Sequence, residues 1–336
     1  MNHSSEILTK HYLINGPVNV VRLEKDNRIL YIFGDIHKEL HEQNVCDPIG
    51  TDKEAIDLDK LLIKVIKQNP NVKFNLYLEV DDMKMVDSTL NYSSMYIEQI
   101  RKLGKYKFSN FKSQVVDNRY KILNKNDYLL NSLYDDNNLP TYYYPINFNI
   151  IRAVLNFLTQ HELIINMILK KISSKPIYQK HAVAIEDVAT FLKSLVSKIS
   201  KIVDKMKSNM ISHTEGQMIT MELCSACFNI KLMLQLTFAS VQDSNMINTL
   251  EKQKESVNYY YCGLYHMVNT THVLVNEFGY KITHLLYGNK DEIEPQLKKL
   301  KVDYSLETTN TVRHLFDINK TVIQCINLES FPDNLL

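Results

Sequence analysis

Ile29-Leu30-Tyr31-Ile32-Phe33-Gly34-Asp35-Ile36-His37 is the stretch on which the fold turns. Its first five residues form a nearly continuous apolar run, as suits a strand buried on both faces of a sheet. The run stops at Gly34, and an imidazole follows three residues later. Upstream, Val18, Val20, Val21 and Leu23 lead into the polar turn Glu24-Lys25-Asp26-Asn27, so residues 18–33 read as two strands. In an open parallel sheet, the loops at the carboxyl ends of the strands form the ligand crevice. A glycine there lets the chain turn sharply and approach a ligand.

Downstream, Thr51-Asp52-Lys53-Glu54 fits a capping box that would open a helix. Leu58, Leu61, Leu62, Val65 and Ile66 make its apolar face, and Pro70 stops it. Val72, Phe74, Leu76 and Leu78 alternate with Lys73, Asn75, Tyr77 and Glu79, which predicts a strand ending in a carboxylate. Strand–helix–strand in this order predicts a right-handed parallel crossover. From about 146 to 255 helical periodicity takes over. It is clearest at Val188, Phe191, Leu192, Leu195, Val196, Ile199, Ile202, Val203 and Met206, with lysines on the opposite face. The α/β pattern then returns. Val257 to Cys262 reads as a strand, Gly263-Leu264-Tyr265-His266 as a loop, Met267 to Phe278 as a helix stopped by Gly279, and Lys281 to Tyr287 as a strand. The expected architecture is α/β: a central, mostly parallel sheet flanked by helices, interrupted by a large helical insertion. Residues 1–145 and 256–336 would build the core, and 146–255 the insertion.

A chain of 336 residues, 45% hydrophobic, can bury a large core. Lys+Arg 39 against Asp+Glu 38 leaves a net charge of +1, so no global field recruits nucleic acid or an anionic membrane. Five cysteines, Cys46, Cys224, Cys227, Cys262 and Cys325, are few and odd in number. That argues against a disulfide framework and fits a reducing compartment. No apolar run reaches the ~20 residues of a membrane helix, and the first residues lack the apolar segment of a secretion signal. The expectation is an intracellular protein. Abundant Asn, Lys, Ile and Tyr, with no Trp, fit an AT-rich coding genome.

The second motif, Gly263 to His266, repeats the first in the same setting: strand, glycine, histidine, helix. Glu79 adds a carboxylate at a third strand end. Two imidazoles and one carboxylate could hold a divalent metal (manganese, cobalt or zinc) with an open position for water. The same groups could instead act as acid and base without a metal. The spacing leaves both open. Other candidates read as bland. Cys224 and Cys227 fall in an apolar helical stretch, and Tyr142-Tyr143-Tyr144 reads as packing. His41, His161, His181, His213, His272, His284 and His314 have no partner pattern. Gly34-Asp35-Ile36-His37 also resembles the first motif of calcineurin-like phosphoesterases. Their later Gly-Asp-x-x-Asp and Gly-Asn-His are missing, since Gly288-Asn289-Lys290 lacks the histidine.

Residues 29–37, Tyr77-Leu78-Glu79 and Tyr261 to His266 followed by Phe278-Gly279-Tyr280 together resemble a known superfamily. It comprises the Tiki proteases, the TraB/PrgY pheromone-shutdown proteins, the ChaN haem-uptake lipoproteins and the erythromycin esterases. The likeness spans about residues 18–120 and 240–290, and its overall look is most similar to uncharacterised members in large DNA viruses. It implies a site at the strand ends: metal-dependent proteolysis in one branch, hydrolysis by His and Glu in another, binding in a third. Carried onto this chain, His37, Glu79 and His266 would be catalytic or metal-binding. Asp35, Asp117, Arg119 and Asn245 would support them or touch a small-molecule or peptide substrate. Gly34 and Gly263 would shape the loops. The Tiki branch has an Arg-Asn pair before the last motif; here that place reads Asp243-Ser244-Asn245, without the arginine. The expectation is therefore a hydrolase. The alternative is an inactive interaction module that keeps the fold, in the host cytoplasm or the virion.

Overall fold

A computed structural model describes residues 12–36, 46–79, 96–116, 179–208, 242–253, 256–302, 306–316, 323–332 and 335–336, with isolated positions between 155 and 173. The chain divides into two compact units. The first is Met1–Asn118, Gln242–Val302 and Glu307–Leu336; the second is Arg119–Val241 with Asp303–Leu306.

The first unit is α/β. Its strands are β1 (Tyr12–Asn15), β2 (Asn19–Lys25), β3 (Arg28–Asp35), β4 (Glu54–Asp57), β5 (Phe74–Leu78), β6 (Phe111–Val115), β7 (Ser256–Gly263), β8 (Lys281–Leu285) and β9 (Cys325–Asn327). Six of them form the main sheet in the order β6-β5-β7-β3-β2-β8. β6, β5, β7 and β3 run parallel, and β2 and β8 add antiparallel strands at one side. This is the mostly parallel, helix-flanked sheet expected. A smaller sheet runs β4-β1-β9.

The β2–β3 hairpin closes on Asp26-Asn27, with Lys25 opposite Arg28. Asp26 has φ 53°, a left-handed conformation that Asp tolerates and that matches the twist of paired strands. Leu30, Tyr31, Ile32 and Phe33 are wholly buried, as their unbroken apolar run requires. β7 is buried along all eight residues. Tyr259 and Tyr261 join Tyr31, Phe33 and Phe74 in the core on one face, while the Tyr260 hydroxyl accepts from Gln242 Nε2. The Tyr259 ring lies 6.0 Å from Phe74, stacked, and its hydroxyl donates to the Leu335 carbonyl.

One expectation changes. Glu54 does not begin a helix. It opens β4, which pairs in parallel with β1, and Thr51 caps a turn by bonding the Pro48 carbonyl. Pairing with β1 outweighs the local capping signal, because a helix there would leave one edge of β1 without its ladder partners. Helix α1 (Leu58–Gln68) starts at Leu58 and does bury Leu58, Leu61, Leu62, Val65 and Ile66. β3 and β5 run parallel, as expected of the crossover, with β7 between them and paired to both. α2 (Tyr96–Arg101) and a short 3-10 turn precede β6. The second unit contains α3 (Gln179–Lys207), whose Val188, Leu192, Leu195, Ile199 and Val203 are buried along one face.

The first unit resumes with helical residues 242–251 (α4), followed by α5 (Leu264–Glu277), α6 (Lys290–Lys299) and, from Glu307 on, α7 (Leu306–Leu315). Gly279 (φ 72°) follows α5 in the left-handed conformation a helix stop uses. Cys46 and Cys325 form a disulfide with Cα atoms 4.9 Å apart. The expectation of reduced thiols fails at this pair. The two cysteines are 279 residues apart, so their proximity was not legible from spacing. Among the described residues no helix is long and apolar enough to cross a membrane.

Candidate functional site

Parallel pairing sets Gly34 opposite Cys262 and Asp35 opposite Gly263. The glycines of the two Gly-x-x-His motifs therefore stand at the same end of adjacent strands. On the other side of β7, Leu78 pairs with Tyr261, and the Glu79 amide donates to the Tyr261 carbonyl at 3.1 Å. Glu79 thus arrives at the same sheet end as Gly263.

The side chains converge there. Glu79 Oε2 accepts from the Gly263 amide at 2.6 Å, and Glu79 Oε1 lies 2.9 Å from His266 Nε2. His266 sits in the first turn of α5, the helix that starts directly after Gly263. Its Nδ1 lies 2.7 Å from Asp243 Oδ1, supplied by α4. One imidazole is thus held between two carboxylates. His266, Glu79 and Asp243 are 5%, 9% and 1% exposed. Burial alone would push the His266 pKa down. The carboxylates of Glu79 and Asp243, by charge and hydrogen bonding, outweigh it and raise the value to about 10. The ring is then a cation at neutral pH, and both N–H groups donate. Asp243 moves the other way from a usual ion pair: burial raises its pKa, His266 pulls it back, and Glu79 adds repulsion. Burial also holds the Cys262 thiol and the Tyr260 hydroxyl, both in β7, well above their ordinary values, so both stay neutral.

The other sequence candidates fall as follows. Asp35 ends β3 and is 2% exposed; its Oδ1 accepts from the Ile36 amide at 2.7 Å and from Gln324 Nε2 at 2.6 Å. Asn245 Nδ2 donates to the Val116 carbonyl at 2.6 Å, tying α4 to the end of β6. Gly34 lies within β3, and its lack of a side chain serves packing. A Cβ there would meet Leu264 Cδ2 at 2.7 Å and Met267 Sδ at 2.9 Å, so glycine lets α5 lie close on β3. Gly263 is the residue before α5, in extended conformation, with its amide on Glu79. His37, Asp117 and Arg119 lie outside the described residues, as do Cys224, Cys227 and Tyr142-Tyr143-Tyr144. His272 is buried, with Nε2 on the Leu300 carbonyl at 3.2 Å, a packing role.

Asp243 was not among the sequence candidates. The signal was there: Gln242-Asp243-Ser244-Asn245 sets four polar residues between Val241 and Met246 in an otherwise apolar stretch. In the structure Gln242, Asp243 and Ser244 are all buried. The segment read as lacking an arginine supplies a carboxylate instead.

A family model described as "Family of unknown function (DUF5847)" matches residues 209–336. That stretch carries Asp243, Asn245, Gly263 and His266 and leaves Asp35 and Glu79 outside it. The chain is similar to "Uncharacterized protein R706" of Acanthamoeba polyphaga mimivirus, 26% identical over 217 residues, or 57% of this chain and 47% of that protein. It is also similar to "Uncharacterized protein R129" of the same virus, 32% identical over 73 residues, or 20% of this chain and 40% of that one. The chain thus spans less than half the length of these viral relatives. No solved structure matches.

Proposed function

We propose that this chain is a hydrolase of the Tiki/TraB/ChaN/erythromycin-esterase type, whose site is Glu79 and His266, oriented by Asp243 and completed by His37. The observation that supports it is the imidazole of His266 held between Glu79 Oε1 at 2.9 Å and Asp243 Oδ1 at 2.7 Å, at the carboxyl ends of parallel strands. Perturbed ionisable groups meeting at such a place are the usual signature of acid–base chemistry.

The donor chemistry fits a divalent metal such as manganese, cobalt or zinc. A ligating histidine commonly gives its second ring N–H to a carboxylate, as His266 Nδ1 does to Asp243. Nε2 of His266 and Oε1 of Glu79 would be donors. Among the described residues no group of three or more His, Cys, Asp and Glu could hold an ion; the third donor in this proposal is His37, as the resemblance implies. When bound, such an ion would supply Lewis-acid activation of a water nucleophile. The residues of the chain do the rest. Asp243 fixes the ring tautomer, the Gly263 amide fixes Glu79, and His266 yields its Nε2 proton to make room for the ion. Metal affinity should therefore rise with pH toward about 10, where that proton leaves. Without a metal, the His266 cation would donate a proton to a leaving group, with Glu79 as its partner.

The deciding experiment measures metal content and turnover together, on wild type, His37→Ala and His266→Ala. The probes are p-nitrophenyl acetate and a quenched fluorescent peptide. Wild type should carry a stoichiometric divalent ion and turn over one probe, and both variants should lose both properties. Equal metal content in all three sinks the metal version; no turnover by wild type on any ester or amide sinks the hydrolase. A non-catalytic module is the second reading. It is favoured by the near-complete burial of all three side chains, which also suits a structural ion network.

A further inference from the structure

The disulfide sits one residue from a hydrogen bond that reaches the candidate site. Cys325 begins β9, a strand of three residues, and pairs opposite Asn15 of β1. Cys46 approaches from the other side: its amide donates to Asn15 Oδ1 at 2.8 Å, and Asn15 Nδ2 donates to Asp57 of β4 at 3.0 Å. Both halves of the disulfide thus meet at Asn15. The residue before Cys325 is Gln324, 1% exposed. Its carbonyl accepts from the Gly16 amide at 3.2 Å, and its Nε2 donates both to the Gly16 carbonyl at 3.1 Å and to Asp35 Oδ1 at 2.6 Å. Asp35 closes β3 at the root of the first Gly-x-x-His loop, opposite Gly263.

We infer that Cys46–Cys325 is a redox-operated clamp that holds Gln324 on Asp35 and so fixes the end of β3 at the candidate site. A three-residue strand makes few ladder bonds, so its seat depends on the cross-link to a degree that β7 or β3 does not. Reduction by a dithiol transfers two electrons. The Sγ–Sγ bond breaks, two protonated thiols form, and the dithiol closes to its own disulfide. β9 then leaves β1 more often, Gln324 leaves with it, and Asp35 loses the Gln324 bond while keeping that of the Ile36 amide. The consequence for turnover rests on the hydrolase reading above; the clamp itself does not.

The test uses the full chain purified without reductant. Peptide mapping of the alkylated, unreduced protein should show the Cys46 peptide linked to the Cys325 peptide. Hydrogen exchange read by mass spectrometry, before and after dithiothreitol, should rise at least tenfold over residues 12–16 and 325–327. Residues 256–263 should not change. The Cys46→Ser/Cys325→Ser double variant should match the reduced wild type and ignore dithiothreitol. Gln324→Leu, with the disulfide intact, should speed exchange at Ile36 as reduction does. Turnover of p-nitrophenyl acetate should fall on reduction, in step with the thiol count, and return on reoxidation. The clamp is overturned if no linked peptide is found, if residues 325–327 exchange alike in both states, or if β7 loosens equally. Absence of turnover in every state counts against the hydrolase, and the exchange data still decide the clamp.

Discussion

Asp243, His266 and Glu79 place two potential negative charges on one buried ring, and the balance sets how the protein responds to pH. The His266 pKa in the folded chain, about 10, lies above its ordinary value of 6.5. The folded state therefore holds this proton more tightly than the unfolded state does. The resulting stabilisation is complete below pH 6.5 and is lost as pH rises through about 10. The wild-type melting temperature should fall between those values. His266→Gln, lacking the titration, should show a flatter profile in the same window. A parallel decline in both proteins would refute the assignment. Gly34 makes a second residue-level case. In Gly34→Ala the new methyl would press on Leu264 and Met267, whose side-chain ends can shift only partly in a packed core. The expected loss is about 1–3 kcal/mol, seen as a lower denaturant midpoint with unchanged slope. A variant as stable as wild type would show that α5 can move away from β3 freely.

At the scale of elements, α4 connects the site to the sheet. It carries Asp243 to His266 and, two residues on, Asn245 to the Val116 carbonyl at the end of β6. Asn245→Ala leaves that carbonyl unpaired and should cost about 1–3 kcal/mol. Hydrogen exchange over residues 111–116 should quicken while β3 stays protected; unchanged exchange there would mean the bond is dispensable. The elements also show what the sequence could reveal. Ile29 to Phe33, the five apolar positions of α1 and Gly279 are local signals, and each element formed where its pattern lay. Thr51 to Glu54 carried an equally local helix signal that lost to β4, because the partner strand β1 lies some 40 residues upstream. No window of sequence contains both. The same reason hid Asp243: its charge is explained only by His266, 23 residues away and on another helix. Glu79 and His266 were legible because each stands at the end of a recognisable strand. Gln324 was not, because the segment around β9 has no periodic pattern.

At the scale of the whole molecule, the disulfide closes most of the chain into one loop, and the main sheet mixes early and late strands. Cross-linking so long a loop restricts the unfolded chain, with about 2–5 kcal/mol of stability expected. Cys325→Ser should lower the melting temperature under non-reducing conditions and match wild type in dithiothreitol. The position of β7 has a consequence for the order of events during synthesis. β3 and β5 are each made long before residues 256–263, and both present to β7 an edge that nothing earlier in the chain covers in the finished sheet. A nascent chain stopped at residue 250 therefore leaves the edges of β3 and β5 that face β7 without their partner. It should aggregate or recruit chaperones, and it should gain solubility when residues 251–336 are co-expressed as a separate piece. Soluble, protease-resistant material from 1–250 alone would show that the early strands find another pairing. For this fold the last quarter of the chain is the keystone: the ribosome delivers the middle of the sheet after its flanks.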